Sequence, residues 1–132
     1  MNWKQTFSDL GLLELRILIG LGMSWHGYQK IFGGFIHKLA EGVAGMGFPF
    51  SQVFAWLAAL SEFAGGILIV LGLGTRFAAL SIFISMSVAA FIAHAADPLA
   101  VKELALAYWG AAGALLLTGP GSLSLDRIFH KK

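Results

Sequence analysis

The sequence predicts an all-α integral membrane protein, a four-helix bundle with both termini on the same side of the bilayer. Three observations lead there. Of 132 residues, 58% are hydrophobic and only 12% are charged, whereas a soluble domain carries about 25% charged residues. A chain this short cannot hide so much apolar surface in its own core, because small domains leave a large share of their surface exposed. The apolar residues also fall into four segments separated by glycine- and proline-rich breaks, each near the roughly 20 residues that cross a hydrocarbon core.

The chain reads as a single domain over residues 1–132. Residues 1–9 form a short amphipathic entry whose Trp3 and Phe7, with Leu10, suit the interface plane, where Trp is favoured. The first apolar segment runs over about 10–32 and is interrupted by Glu14, Arg16, His26 and Lys30. Glu14 and Arg16 lie near its start, where long side chains can snorkel to the interface. Residues 33–50 hold Gly33, Gly34, Gly42, Gly45, Gly47 and Pro49, and are too polar and glycine-rich to span. They read as a surface-lying connection with a short helix near 35–45. The second segment, about 51–73, has Glu62 as its only charge. After the turn Gly74-Thr75-Arg76, the third covers about 77–96 and ends near His94. Pro98 suits the first turn of the fourth, about 99–118, which opens with Lys102 and Glu103 and is stopped by Gly119-Pro120-Gly121. The tail, 119–132, is polar and ends basic.

Four spans place Lys4, Arg76, Arg127, Lys131 and Lys132 on one side, and Lys30, Lys38 and Lys102 on the other. The positive-inside rule then sets the termini in the cytoplasm. A three-span alternative needs one re-entrant segment, and the segment lengths argue against it. Small residues recur at helix-packing spacing: Gly20 with Ser24, Ser61 with Gly65, Ser81 with Ser85, Gly110 with Ala114.

Several function classes drop out. There is no cysteine, which removes disulfides, thiol relays and thiolate metal sites. No basic run reaches the length of a nucleic-acid-binding arm. The N-terminus does not read as a cleavable signal peptide, because its basic region is thin and no small-residue cleavage site follows. His26 and His94 could ligate haem, or a metal with Glu62 and Glu103, but no close-spaced ligand motif supports a metal site.

Threading direction gives depth. His26 and Lys30 fall in the outer part of the first helix, Glu62 near mid-membrane, His94 at the outer end of the third, and Glu103 at the outer start of the fourth. At 100° per residue, Lys30 lies about 40° from both Arg16 and His26. A carboxylate facing lipid costs roughly 2.5–3.5 kcal/mol, so Glu62 is expected to face inward, protonated or paired. Lys30 is expected to point into the bundle toward Glu62 or Glu103. The expected polar site is His26, Lys30 and Glu62, with Arg16, His94 and Glu103 around it. Lysine, histidine and a proton-labile carboxylate supply the hydrogen-bond donor and proton source that a quinone carbonyl needs.

The residues also carry a family pattern: Arg16 with Gly20, then His26-Gly27, Lys30 and Gly33-Gly34; Glu62-Phe63-Ala64-Gly65-Gly66; Leu71-Gly72-Leu73-Gly74-Thr75-Arg76; and Leu117-Thr118-Gly119-Pro120-Gly121-Ser122-Leu123-Ser124-Leu125-Asp126. In this order the chain resembles the DoxX family of small bacterial four-helix membrane proteins. The resemblance implies residence in the bacterial inner membrane. It also implies association with redox systems, since related proteins occur as quinone-linked thiosulfate oxidation subunits and in oxidative-stress membrane complexes. The expected function is a subunit of a quinone-linked redox or oxidative-stress system, not catalytic on its own. Its expected ligand is a non-covalent quinone, and its expected partners are the lipid bilayer, a redox protein and a second copy of itself. A non-catalytic membrane scaffold or assembly factor, and a small-solute transporter built as an oligomer, are the alternatives.

Overall fold

A computed structural model of the chain describes residues 2–130. Lys131 and Lys132, counted above toward the charge bias, lie outside the described residues. The elements are α1 (Trp3–Phe32), α2 (Ile36–Gly45), α3 (Ser51–Leu71), α4 (Thr75–Val88) continued by a π-helical turn (Ala89–Ala93), α5 (Leu99–Thr118) and the short α6 (Leu125–Phe129). All regular structure among the described residues is helical.

Three helices are long and apolar enough to cross a membrane: Ser51–Leu71, Thr75–Ala93 and Leu99–Thr118. α1 is the longest at 30 residues, and its interior polar residues set it apart. It starts at Trp3, earlier than the apolar segment does. Nothing in residues 3–10 breaks a helix, and the hydroxyls of Thr6 and Ser8 bond back to Asn2 O and Lys4 O. The outside of the bundle is apolar, with Leu18, Leu21, Leu57, Phe77, Ile84 and Leu117 all exposed. Such a surface needs lipid around it.

The α1–α3 seam is the closest packing in the molecule, and glycine makes it possible. A methyl group on Gly20 would sit 2.6 Å from Gly66 O, and one on Gly27 2.3 Å from Phe63 N. Both distances forbid a side chain, so the two backbones approach as small residues allow. Ser24 Oγ donates to Phe63 O at 3.4 Å across the same seam. Gly65, on the other side of α3, faces Ile82 and Ser81. The expectation for Gly110 and Ala114 needs correction. Both are exposed, and nothing lies within 4 Å of a methyl placed on Gly110. Spacing alone marks a smooth face and does not say what covers it.

Met23, Ile69, Ala78, Ala79, Ile82, Met86, Ala112 and Leu115 form the core between α1, α3, α4 and α5. At one end of the bundle the tail is tied in. Gly72 ends α3 in the left-handed conformation (φ 67°), and Gly74 (φ 55°) repeats it before α4. Asp126 then caps α4, accepting from the Gly74 amide at 2.8 Å and the Thr75 amide at 3.0 Å, while its own amide donates to Gly72 O at 2.8 Å. Asp9 accepts from the amide and hydroxyl of Ser122. The start of α1, the α3–α4 turn and the tail therefore share one end of the bundle.

Candidate functional site

Lys30 lies one turn from the end of α1 and leans onto α3. Its Nζ donates to both oxygens of Glu62, each at 2.6 Å. Glu62 is almost fully buried (side-chain exposure 2%), while Lys30 keeps 29%. The pair is thus asymmetric: the carboxylate is sealed inside, and the ammonium reaches the wall of a groove of about 330 Å³. The α1–α3 seam sets this geometry. Gly27 lets α1 touch the backbone at Phe63, next to Glu62, and brings Lys30, three residues on, over the carboxylate.

His26 faces the other way, toward α5. Its ring meets that of Tyr108 edge to face, with centroids 5.8 Å apart. The Tyr108 phenol rests on Gly22, where a methyl group would come within 2.1 Å of the hydroxyl. Among the described residues neither the His26 ring nitrogens nor the Tyr108 hydroxyl has a hydrogen-bond partner within the protein. Both residues are partly buried, so this corner has hydrogen-bonding capacity left over.

The other members of the expected site lie elsewhere, and the structure corrects their grouping. Arg16 neither snorkels nor joins Lys30. It is 1% exposed and donates to Ile69 O (3.0 Å), Val70 O (3.0 Å), Pro120 O (2.9 Å) and Leu123 O (2.8 Å). It shares the stripe of Lys30, but fourteen residues of helix put them roughly 21 Å apart. His94 bonds Asp97 through Nδ1 at 2.7 Å in a wet turn. Glu103 is exposed. Five residues separate it from Tyr108, about 140° around α5, so when Tyr108 faces α1, Glu103 faces away. Position along each helix was readable in the sequence; azimuth was not.

Tyr108 is the site residue that sequence reasoning missed. It sits in an uncharged stretch of α5 and has no ionisable neighbour in sequence to mark it. A phenol in mid-span beside Trp109 is itself a signal, because buried tyrosine hydroxyls generally find a partner. Among the described residues no group of three or more histidine or acidic side chains could hold a metal ion. A second hollow, of about 360 Å³, lies on the outside of α1 and α3 between Leu21, Trp25, Tyr28 and Phe63. No charged side chain lines it.

The comparisons with known proteins settle the family. The DoxX family model matches residues 11–95, a stretch that holds Arg16, His26, Lys30 and Glu62. The chain belongs to the DoxX family. Its curated relatives agree over full length. The inner membrane protein YqjF of Escherichia coli K12 is 34% identical over 94% of this chain and 95% of its own. The inner membrane protein YphA of the same organism is 36% identical over 88% of each. An uncharacterized protein of Haemophilus influenzae is 33% identical over the whole of both. No solved structure matches. This DoxX-family chain is an integral membrane protein, and among the described residues the Arg16 cage and the Lys30–Glu62 pair are where charge enters the bundle.

Proposed function

We propose that this protein is an inner-membrane subunit of a quinone-linked redox system, crossing the bilayer four times with both termini in the cytoplasm. It holds a quinone-like ligand beside the Lys30–Glu62 pair and does not complete a catalytic cycle alone. One observation carries the reading. A buried carboxylate bonded to a half-accessible ammonium stands next to His26 and Tyr108, whose polar atoms lack partners among the described residues. A quinone carbonyl accepts hydrogen bonds, and its reduction takes up protons. Lys30, His26 and Tyr108 are donors, and Glu62 can receive and return a proton to Lys30 over 2.6 Å. With no cysteine in the chain, electrons would pass through a bound cofactor or a redox partner protein, and the partner is the one proposed here. The test is the quinone content of protein purified in mild detergent. Wild type retains quinone; Glu62→Gln and Lys30→Ala retain several-fold less. Equal retention in both variants would sink the site.

The rival reading is a non-catalytic scaffold, in which Lys30 and Glu62 only lock α1 onto α3. The bidentate geometry of the pair favours it. Under that reading the same variants lose folded yield, and no ligand co-purifies with wild type.

A further inference from the structure

The groove on the open side of Lys30 is walled by α2, by the end of α1 and by the π-helical turn, and its lining includes Lys30, Lys38, Leu39, Gly42, Met46 and Ala93. We infer that it is a binding site for an acidic phospholipid of the bilayer, with the headgroup phosphate between Lys38 and Lys30 and one acyl chain along the apolar floor. This does not rest on the quinone reading, which draws on Glu62, His26 and Tyr108, although the two share Lys30.

Charge complementarity comes first. Lys30 is balanced by Glu62. Lys38 is exposed and has no carboxylate partner among the described residues. Glu41 follows it on α2 but does not line the groove. The mouth therefore carries one uncompensated positive charge plus the free face of a second ammonium, the arrangement that attracts anionic headgroups. A neutral or zwitterionic head would leave Lys38 unmatched.

The walls come second. α2 turns Ile36, Ala40 and Val43 inward at helical spacing and holds Lys38 at the rim, as an interface-lying amphipathic helix does. Gly42 leaves the space in front of it open, with nothing within 4 Å of a methyl group placed there. The π-turn offers only the small Ala93 to the opposite wall. π-turns inside α-helices recur at functional sites. The groove's volume of about 330 Å³ leaves room for a segment of an acyl chain.

The test uses the full-length protein in mild detergent, mixed with equal amounts of phosphatidylglycerol and phosphatidylcholine bearing the same acyl chains. Native mass spectrometry then counts the lipid retained. Wild type should keep phosphatidylglycerol about five-fold over phosphatidylcholine, the size of one lysine's attraction to an anionic surface. Lys38→Glu should bring the ratio to about one, and Gly42→Phe, which fills the groove from an open position, should release both lipids. Neither variant should change quinone retention, so the two proposals fail separately. Equal retention of the two lipids by wild type, or a preference unchanged by Lys38→Glu, overturns the assignment. So does displacement of phosphatidylglycerol by an equal concentration of oleate, which would make the ligand a free fatty acid.

Discussion

Two cations enter the bundle from the same face of α1, and they are held in opposite ways. Arg16 is caged by four backbone carbonyls and meets no carboxylate. Two of these carbonyls belong to the last turn of α3, where the helix runs out of amides of its own; Ile69 O also accepts from the Gly72 amide at 3.1 Å. The other two belong to the tail. A planar guanidinium with five N–H groups can satisfy all four at once, which an ammonium cannot. Lys30 instead meets one carboxylate and keeps part of its surface open. The first arrangement joins three parts of the chain and leaves no donor facing a cavity. The second leaves part of the ammonium open to a groove. Burial of a cation therefore does not by itself separate the two; the kind of partner and the remaining access do.

The contrast can be broken by substitution. Arg16→Met removes the side-chain donors to four carbonyls, of which Ile69 O keeps the Gly72 amide at 3.1 Å, and charged hydrogen bonds contribute about 1.5–3 kcal/mol each before relaxation. We expect a loss of about 3–5 kcal/mol that no removal of a carboxylate elsewhere repairs. Thermal unfolding in detergent, followed by size-exclusion chromatography, would read it. A stable Arg16→Met protein would show that the cage is ornamental.

Lys30→Met should cost less, about 2–3 kcal/mol, because it strands a buried carboxylate while Lys30 is itself partly exposed. Here rescue is the decisive measurement. The double variant Lys30→Met with Glu62→Gln should recover most of the lost stability, and a double-mutant cycle would give the coupling. No coupling would mean that the 2.6 Å contact contributes nothing to the fold.

Between the two cations lies the glycine seam. Gly27→Ala places a methyl 2.3 Å from Phe63 N, and overpacking of this kind costs about 1–3 kcal/mol. It should also push Lys30 off Glu62, so quinone retention should fall further than stability does. Gly110→Ala, where nothing lies within 4 Å, is the control and should change neither.

The smallest effects belong to the carboxylates of the caged end. Asp9 is held below the usual carboxylate range by the Ser122 hydroxyl and then by the Ser122 amide. At Asp126 burial opposes ionisation, but the Thr75 and Gly74 amides outweigh it, and its carboxyl is also held low. A depressed value means that the stabilisation is present above the ordinary 3.8 and is lost as pH falls through the lowered value. The tail should stay docked at neutral pH and loosen only in strong acid. Asp126→Asn should cost about 1 kcal/mol as a weakened helix cap. Hydrogen exchange at the Gly74 and Thr75 amides would rise first in both cases; protection that persists in acid would refute the linkage.

What the sequence determined by itself was set by composition and period. Its apolar fraction and segment lengths imposed a helical membrane protein, because only helices or closed barrels satisfy backbone groups in lipid. Gly33-Gly34, Gly74 and the Gly-Pro-Gly of the tail marked breaks, since left-handed conformations and missing donors punctuate helices wherever they occur, whereas Gly72, counted inside the second segment, ends α3 only in the structure. The mid-span position of Glu62 marked a carboxylate that had to be buried or paired, and the 2.6 Å contact with Lys30 meets that expectation, whereas His26, one turn before Lys30, faces α5 instead. Tertiary structure decided which charges meet. Arg16 and Lys30 look alike in sequence, and only the antiparallel docking of α3 gives one a row of carbonyls and the other Glu62. Glu103 and Tyr108 reverse the ranking that charge alone would assign, because the rotation of α5 about its own axis is set by packing against α1 and α4. The π-turn at Ala89–Ala93 has no sequence signal that we can identify. Depth along a helix follows from counting residues, whereas rotation about it depends on the partner helix.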